Sequence, residues 1–196
     1  MGIGDIFVLL MTDLPFKDRL VGETYALKRK IGKTSDPVKI YPVTINTPST
    51  CDTSTYLDLV PDTNNNTRKS IIYCEKLASV VLERDTRYFY MEETWGLVCW
   101  LNMKIINKNY MTVDPFAQTV LKRIPDQYGN YGNWIDVFFE YKRQVPDNEI
   151  FSRYTYDEPE KQFMIYPFGA FAFDFAVRFR IAQECLTDVT LDPDLC

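Results

Sequence analysis

Apolar and other residues alternate almost without a break from position 170 to 181. Phe171, Phe173, Phe175, Val177, Phe179 and Ile181 share one side of an extended chain, and Ala170, Ala172, Asp174, Ala176, Arg178 and Arg180 share the other. The run reads as a strand of about 40 Å, well beyond the usual five or six residues. One face carries four phenylalanines; the other begins small and ends charged. Small residues suit a face that something else approaches closely.

Upstream, residues 70–73, 77–82, 88–90 and 95–101 are rich in branched and aromatic side chains, as strands prefer. Arg84-Asp85-Thr86-Arg87 and Glu92-Glu93 interrupt them, so an antiparallel meander is predicted. Leu97, Cys99 and Leu101 fall on one face and Val98 and Trp100 on the other; a strand apolar on both faces belongs inside a sheet. Residues 134–145 alternate as well, with Ile135, Val137, Phe139 and Tyr141 set against Asp136, Phe138, Glu140 and Lys142. One amphipathic helix is predicted before that strand. Asp114 is its expected N-cap, Pro115 its first residue and Pro125 its stop. Phe116, Val120 and Ile124, with Val113, Ala117 and Leu121, form its apolar stripe.

Residues 1–67 lack a comparable pattern. Two turn-like clusters, residues 47–50 and 61–66, separate short extended candidates at 38–45 and, more weakly, 56–60. The segment reads as an extended arm, followed by a core domain at 68–185 and an acidic tail at 186–196. The expected fold class is α+β: a mainly antiparallel sheet, made of the meander and the long C-terminal strand, with one short helix. Residues 146–161 form a long polar loop with a short helical turn near 149–154, the kind of loop that often carries binding.

Composition narrows the chemistry. The 196 residues include 22 basic and 27 acidic side chains, a net charge of -5, and no histidine, which removes the commonest catalytic base and metal ligand. The acidic balance argues against a protein built to hold nucleic acid; Lys28, Arg29, Lys30 and Lys33 read as a solvated loop before a DNA-facing patch. Five cysteines, none paired as CxxC, read as reduced thiols, with Cys74 and Cys99 inside apolar runs. The apolar run at 6–11 is too short to span a bilayer and lacks the flanks of a signal peptide. Gly2 lacks the downstream Ser or Thr of a myristoylation signal, and Asn65-Asn66-Thr67 reads as a polar turn. A soluble chain made in a cytoplasm is expected, with no cofactor, no metal and no membrane partner. Asp192 and Asp194 in the tail read as solvated.

No phosphate loop or nucleophile elbow occurs, and the adjacent carboxylates Glu92-Glu93 and Asp157-Glu158 read as solvated pairs. Three function classes remain. The first is a structural subunit of a closed assembly, with Asp174, Arg178, Arg180, Arg153, Tyr154 and Tyr156 as candidate subunit-interface residues and Asp174 pairing with Arg178 or Arg180 of a neighbouring chain. The second is a β-type carbohydrate- or peptide-binding module with Tyr88, Tyr90, Trp95 or Trp134 as its aromatic platform. The third is a carboxylate-dependent hydrolase.

The order of meander, helix opened by Asp114-Pro115, strand at 134–145 and Phe-rich strand resembles small head–tail joining proteins of tailed bacteriophages, the neck-ring and tail-terminator subunits. The segment Trp95-Gly96-Leu97-Val98-Cys99-Trp100-Leu101-Asn102 and the strand from Phe171 to Arg180 are similar to virion proteins of the crAss-like phages. The resemblance covers about residues 70–185 and leaves the first 67 without a counterpart. It implies a non-enzymatic virion protein, assembled in the host cytoplasm as a ring of roughly six or twelve copies. That ring would sit between portal and tail proteins and line the channel through which DNA passes. An acidic wall lets DNA slide without sticking.

Overall fold

In the computed structural model, the described residues are 2–30, 38–45, 56–59, 68–106, 109, 112–155 and 164–183. The fold is α+β and mainly antiparallel. Its elements are α1 (Ile3–Met11), β1 (Arg19–Glu23), β2 (Tyr25–Lys30), β3 (Val38–Ile45), β4 (Tyr56–Asp58), β5 (Ser70–Arg84), β6 (Tyr88–Asn102), α2 (Met103–Ile106), α3 (Asp114–Leu121), β7 (Gln127–Tyr131), β8 (Trp134–Gln144) and β9 (Phe168–Ala182). A six-stranded sheet runs β1-β5-β6-β9-β8-β7, and a smaller sheet runs β2-β3-β4. Tyr156, the pair Asp157-Glu158, the tail at 186–196, both turn clusters, Lys33, Cys51, Cys185 and Cys196 lie outside the described residues.

The expected meander is longer than its apolar pieces. β5 and β6 are each 15 residues, joined by the turn at Asp85, whose carboxylate accepts the backbone N–H groups of Arg87 and Tyr88 at 2.6 Å. Those two bonds hold the Asp85 carboxyl below its ordinary range. Glu92 and Glu93 do not interrupt β6, because each finds a partner on its own side of the sheet. Glu92 meets Arg178 at 2.6 Å; buried Glu93 accepts the Trp95 indole N–H at 2.8 Å and pairs with Lys76. β6 is interior, as its two apolar faces predict, and it pairs with β9 from Tyr88↔Ala182 to Asn102↔Phe168.

The Phe face of β9 lies in the main core with Leu97, Cys99, Leu101, Val137 and Phe139. Its small face lies in a second cluster with Ile71, Tyr73, Val98, Trp100, Val145 and Ile150. Cys74 and Cys99 are buried and unbridged, and burial pushes both thiols up, which suits packing rather than reactivity. Val145 and Ile150 are buried, so the predicted polar loop begins as part of the core.

Three expectations need correction. Val113, not Asp114, caps α3: its carbonyl accepts the N–H groups of Phe116 and Ala117 at 3.0 Å, so Asp114 is already inside the first turn. There its charge still complements the helix dipole. The expected arm also departs from the structure at its start. Ile3, Ile6, Phe7 and Met11 recur at helical spacing, and α1 buries all four against the sheet. Asp5 helps to open this helix by accepting the Gly2 N–H at 2.7 Å. β1 then lies parallel to β5, pairing Arg19↔Ile71 and Glu23↔Cys74. The backbone of Lys28, Arg29 and Lys30 belongs to strand β2, not to a loop.

Phe7 sits among Trp95, Phe139 and Phe175, with ring centroids 6.1, 5.3 and 5.9 Å away. Helix and sheet touch through two glycines: a Cβ on Gly4 would stand 2.6 Å from the Glu23 backbone nitrogen. Phe7→Ala is expected to cost about 3–5 kcal/mol of stability in urea unfolding. Gly4→Ala, which pushes α1 off β1, is expected to cost about 1–3 kcal/mol in the same measurement.

Candidate functional site

The sheet face away from α1 and α3 is where the candidate residues gather. Its upper half is apolar; its lower half is a field of charges on alternating strand positions. One row crosses four strands. Glu75 on β5 pairs with Gly96 on β6, Gly96 with Asp174 on β9, and Asp174 with Arg143 on β8. Below it, Arg178 on β9 reaches Glu92 at 2.6 Å and Glu140 at 3.2 Å, and Arg180 pairs with Asp136. Asp136 stands at positive φ where β8 slips register, which turns its carboxylate toward Arg180.

Of the six candidate interface residues, five are described, and each is engaged within its own chain. Within the chain Asp174 binds Arg143, whose Nε lies 2.8 Å from Oδ2. The reason is strand order: β8 places Arg143 directly across from Asp174, while Arg178 and Arg180 lie further along Asp174's own strand. Arg153 approaches Glu75 at 3.4 Å, and the Tyr154 hydroxyl donates to the other Glu75 oxygen. The hydrogen bond from Arg143 to Asp174 raises the Arg143 pKa further, and that to Glu92 does the same for Arg178. Such half-exposed ion pairs contribute little to stability.

Glu75 is the exception in burial. Its carboxyl lies under the turn that carries Arg153 and Tyr154, beside a cleft of about 120 Å³ floored by Gly96. Burial pushes the carboxyl above its ordinary value; the Tyr154 hydrogen bond and Arg153 pull it back, and Asp174 pushes it up again. The Glu75–Asp174 pair did not stand out in sequence. Its one signal was polar residues at face positions otherwise filled by apolar or small ones, and only strand pairing brings the two across Gly96.

The aromatic platform does not assemble. Trp95 is 1% exposed inside the main core, and Trp134 packs edge-on against Phe179 at 4.7 Å. Tyr90 lines a shallow open depression with Leu82, Phe138 and Arg178, and Arg180 lies over the Tyr88 ring. Among the described residues, no group of three or more acidic or cysteine side chains is placed to hold a metal, and no helix is long and apolar enough to cross a membrane.

The sheet also has an uncovered margin. β1 covers β5 only as far as Cys74, which leaves residues 76–84 with β6 on one side and, among the described residues, no strand on the other. There Val80, Val81 and Leu82 are 54%, 52% and 54% exposed. On the opposite edge, β7 pairs with β8 no further than Phe138, and Tyr141 is half exposed beyond it.

No protein-family model, no curated protein and no solved structure matches this chain.

A carboxyl with a raised folded pKa contributes its stability in full below pH 4.5 and loses it as pH rises through the folded value. The stability advantage of the wild type over Glu75→Gln is therefore expected to shrink as pH rises from 4.5 toward neutrality. Urea unfolding across that range measures it, and parallel pH profiles for the two proteins would contradict the assignment.

Proposed function

We propose that the chain is a structural subunit whose copies join sheet edge to sheet edge and close into a ring. The observation that carries this reading is the margin of β5, where three successive exposed aliphatic residues stand on a strand that, among the described residues, has no partner on its outer side. Monomeric proteins blunt or cover such edges, and strand addition is the interaction they favour. The second uncovered edge, on β8, differs from the first, so a joint between them is head-to-tail, the kind of contact that generates rings.

Strand direction agrees with such a joint. β5, β6, β9 and β8 alternate, so a neighbour's β5 laid beside β8 in the same orientation continues the antiparallel order. The two free stretches lie at different heights in the sheet, so the joint staggers neighbouring copies, as tilted strands do in closed barrels.

Within this reading the chain is a virion protein of a tailed phage, a ring at the junction of head and tail that contacts portal and tail proteins and surrounds passing DNA. The net charge of -5 supports a channel wall that does not retain DNA. The resemblance of residues 70–185 supports the setting.

Light scattering coupled to size exclusion is expected to give the mass of a multimer, alone or with portal and tail proteins, and electron microscopy a closed ring. Val80→Lys combined with Leu82→Lys changes only exposed positions and is expected to weaken self-association about tenfold or more, with folding intact. A wild-type chain that stays monomeric in all these mixtures, or a double variant that assembles like the wild type, would overturn the reading.

A further inference from the structure

The cleft above Gly96 is built differently from the rest of the charged face. Glu75 Oε2 and Asp174 Oδ1 each lie 3.8 Å from the place a Cβ on Gly96 would take, so both oxygens border one hollow that has no side chain of its own. Tyr154 donates to Glu75 Oε1, Arg153 Nη1 approaches the cleft-facing Oε2 at 3.4 Å, and Arg143 donates to Asp174 Oδ2 at 2.8 Å. The inner wall is thus two carboxylate oxygens held in place by neighbours and turned toward a common point.

The mouth has the opposite character. The side chains of Arg143 and Arg153 are 53% and 50% exposed, and the Arg153 contact with Glu75 is a long 3.4 Å. A guanidinium carries five N–H donors, so each arginine keeps donors for a group arriving from solvent. Charge then selects the ligand. A simple cation meets two guanidiniums on its way in, and a simple anion meets Glu75, Asp174 and Glu149 around the cleft. A molecule bearing one ammonium and one carboxylate satisfies both ends and adds no net charge. A cleft of about 120 Å³ takes a small molecule of that kind, the space of about four waters at liquid density.

We propose that this cleft binds a small zwitterion of the α-amino-acid type, its ammonium seated over Gly96 between Glu75 and Asp174 and its carboxylate on Arg153 and Arg143. The proposal does not rest on the reading of assembly, although Arg143 stands on the uncovered stretch of β8. Gly96 is what admits the ligand: an alanine methyl here would occupy the seat of the ammonium. That methyl would meet nothing nearer than 3.7 Å, and the backbone is not in the left-handed region, so Gly96→Ala is compatible with the fold.

The test is isothermal titration of the full chain with glycine and alanine, with methylammonium and acetate as single-charge controls, alongside thermal melts. Saturable binding of the amino acids is expected, with a rise in Tm of about 5 °C near saturation and little effect of either control. Gly96→Ala and Asp174→Asn are each expected to weaken binding about tenfold or more, with unchanged circular dichroism. Absence of binding by both amino acids, binding of methylammonium or acetate as tight as theirs, or undiminished binding by folded Gly96→Ala and Asp174→Asn would each overturn the proposal.

Discussion

The pairing of β6 with β9 is the constraint on which the rest of the molecule hangs. Fifteen residue pairs in unbroken register set the Phe face of β9 and the Leu97–Cys99–Leu101 face of β6 on one side. A slip of one residue would turn every one of those side chains to the other face. With the register held, helices α1 and α3 have one continuous apolar floor to cover, and the small sheet and the turn after β8 have another. The ion pairs of the lower face follow from the same register. Glu92 lies opposite Arg178 and Gly96 opposite Asp174 because Asn102 lies opposite Phe168.

Period-two patterning made these two strands, though not their pairing with each other, legible in sequence, because both carry it over many residues and both are apolar enough to rule out a helix. β3, at 38–45, and the central placement of β6 were legible for the same reason. The run of Glu92 and Glu93 was not: two adjacent carboxylates look like a break unless their partners on other strands are known. α1 was obscured by brevity. Nine residues with leucine and valine also on the outer side read as a plain apolar run, and the helical spacing of Ile3, Ile6, Phe7 and Met11 shows its meaning only against the sheet.

The candidate residues show a similar division. Asp174, Arg178 and Arg180 were visible as charges on a strand face, but their partners were not, since Arg143, Glu92, Glu140 and Asp136 belong to strands brought near by topology. Within one copy these charges pair between strands. This arrangement places self-association, in the proposed assembly, on the aliphatic margin of β5. It also leaves the cleft over Gly96 as a place where charges face one another across open space.

The burial of Phe7 against Phe175 has a consequence for how the chain comes to be folded. Helix α1 has a core neighbour far along the chain on β9, so the main core cannot close until β9 has emerged during synthesis. Until then α1 and the apolar faces of β5 and β6 are left waiting, with a bare strand edge among them. Chains of this kind are most exposed to misassociation while still being synthesised, and an abundant product would rely on chaperones or on rapid completion to reach its folded state.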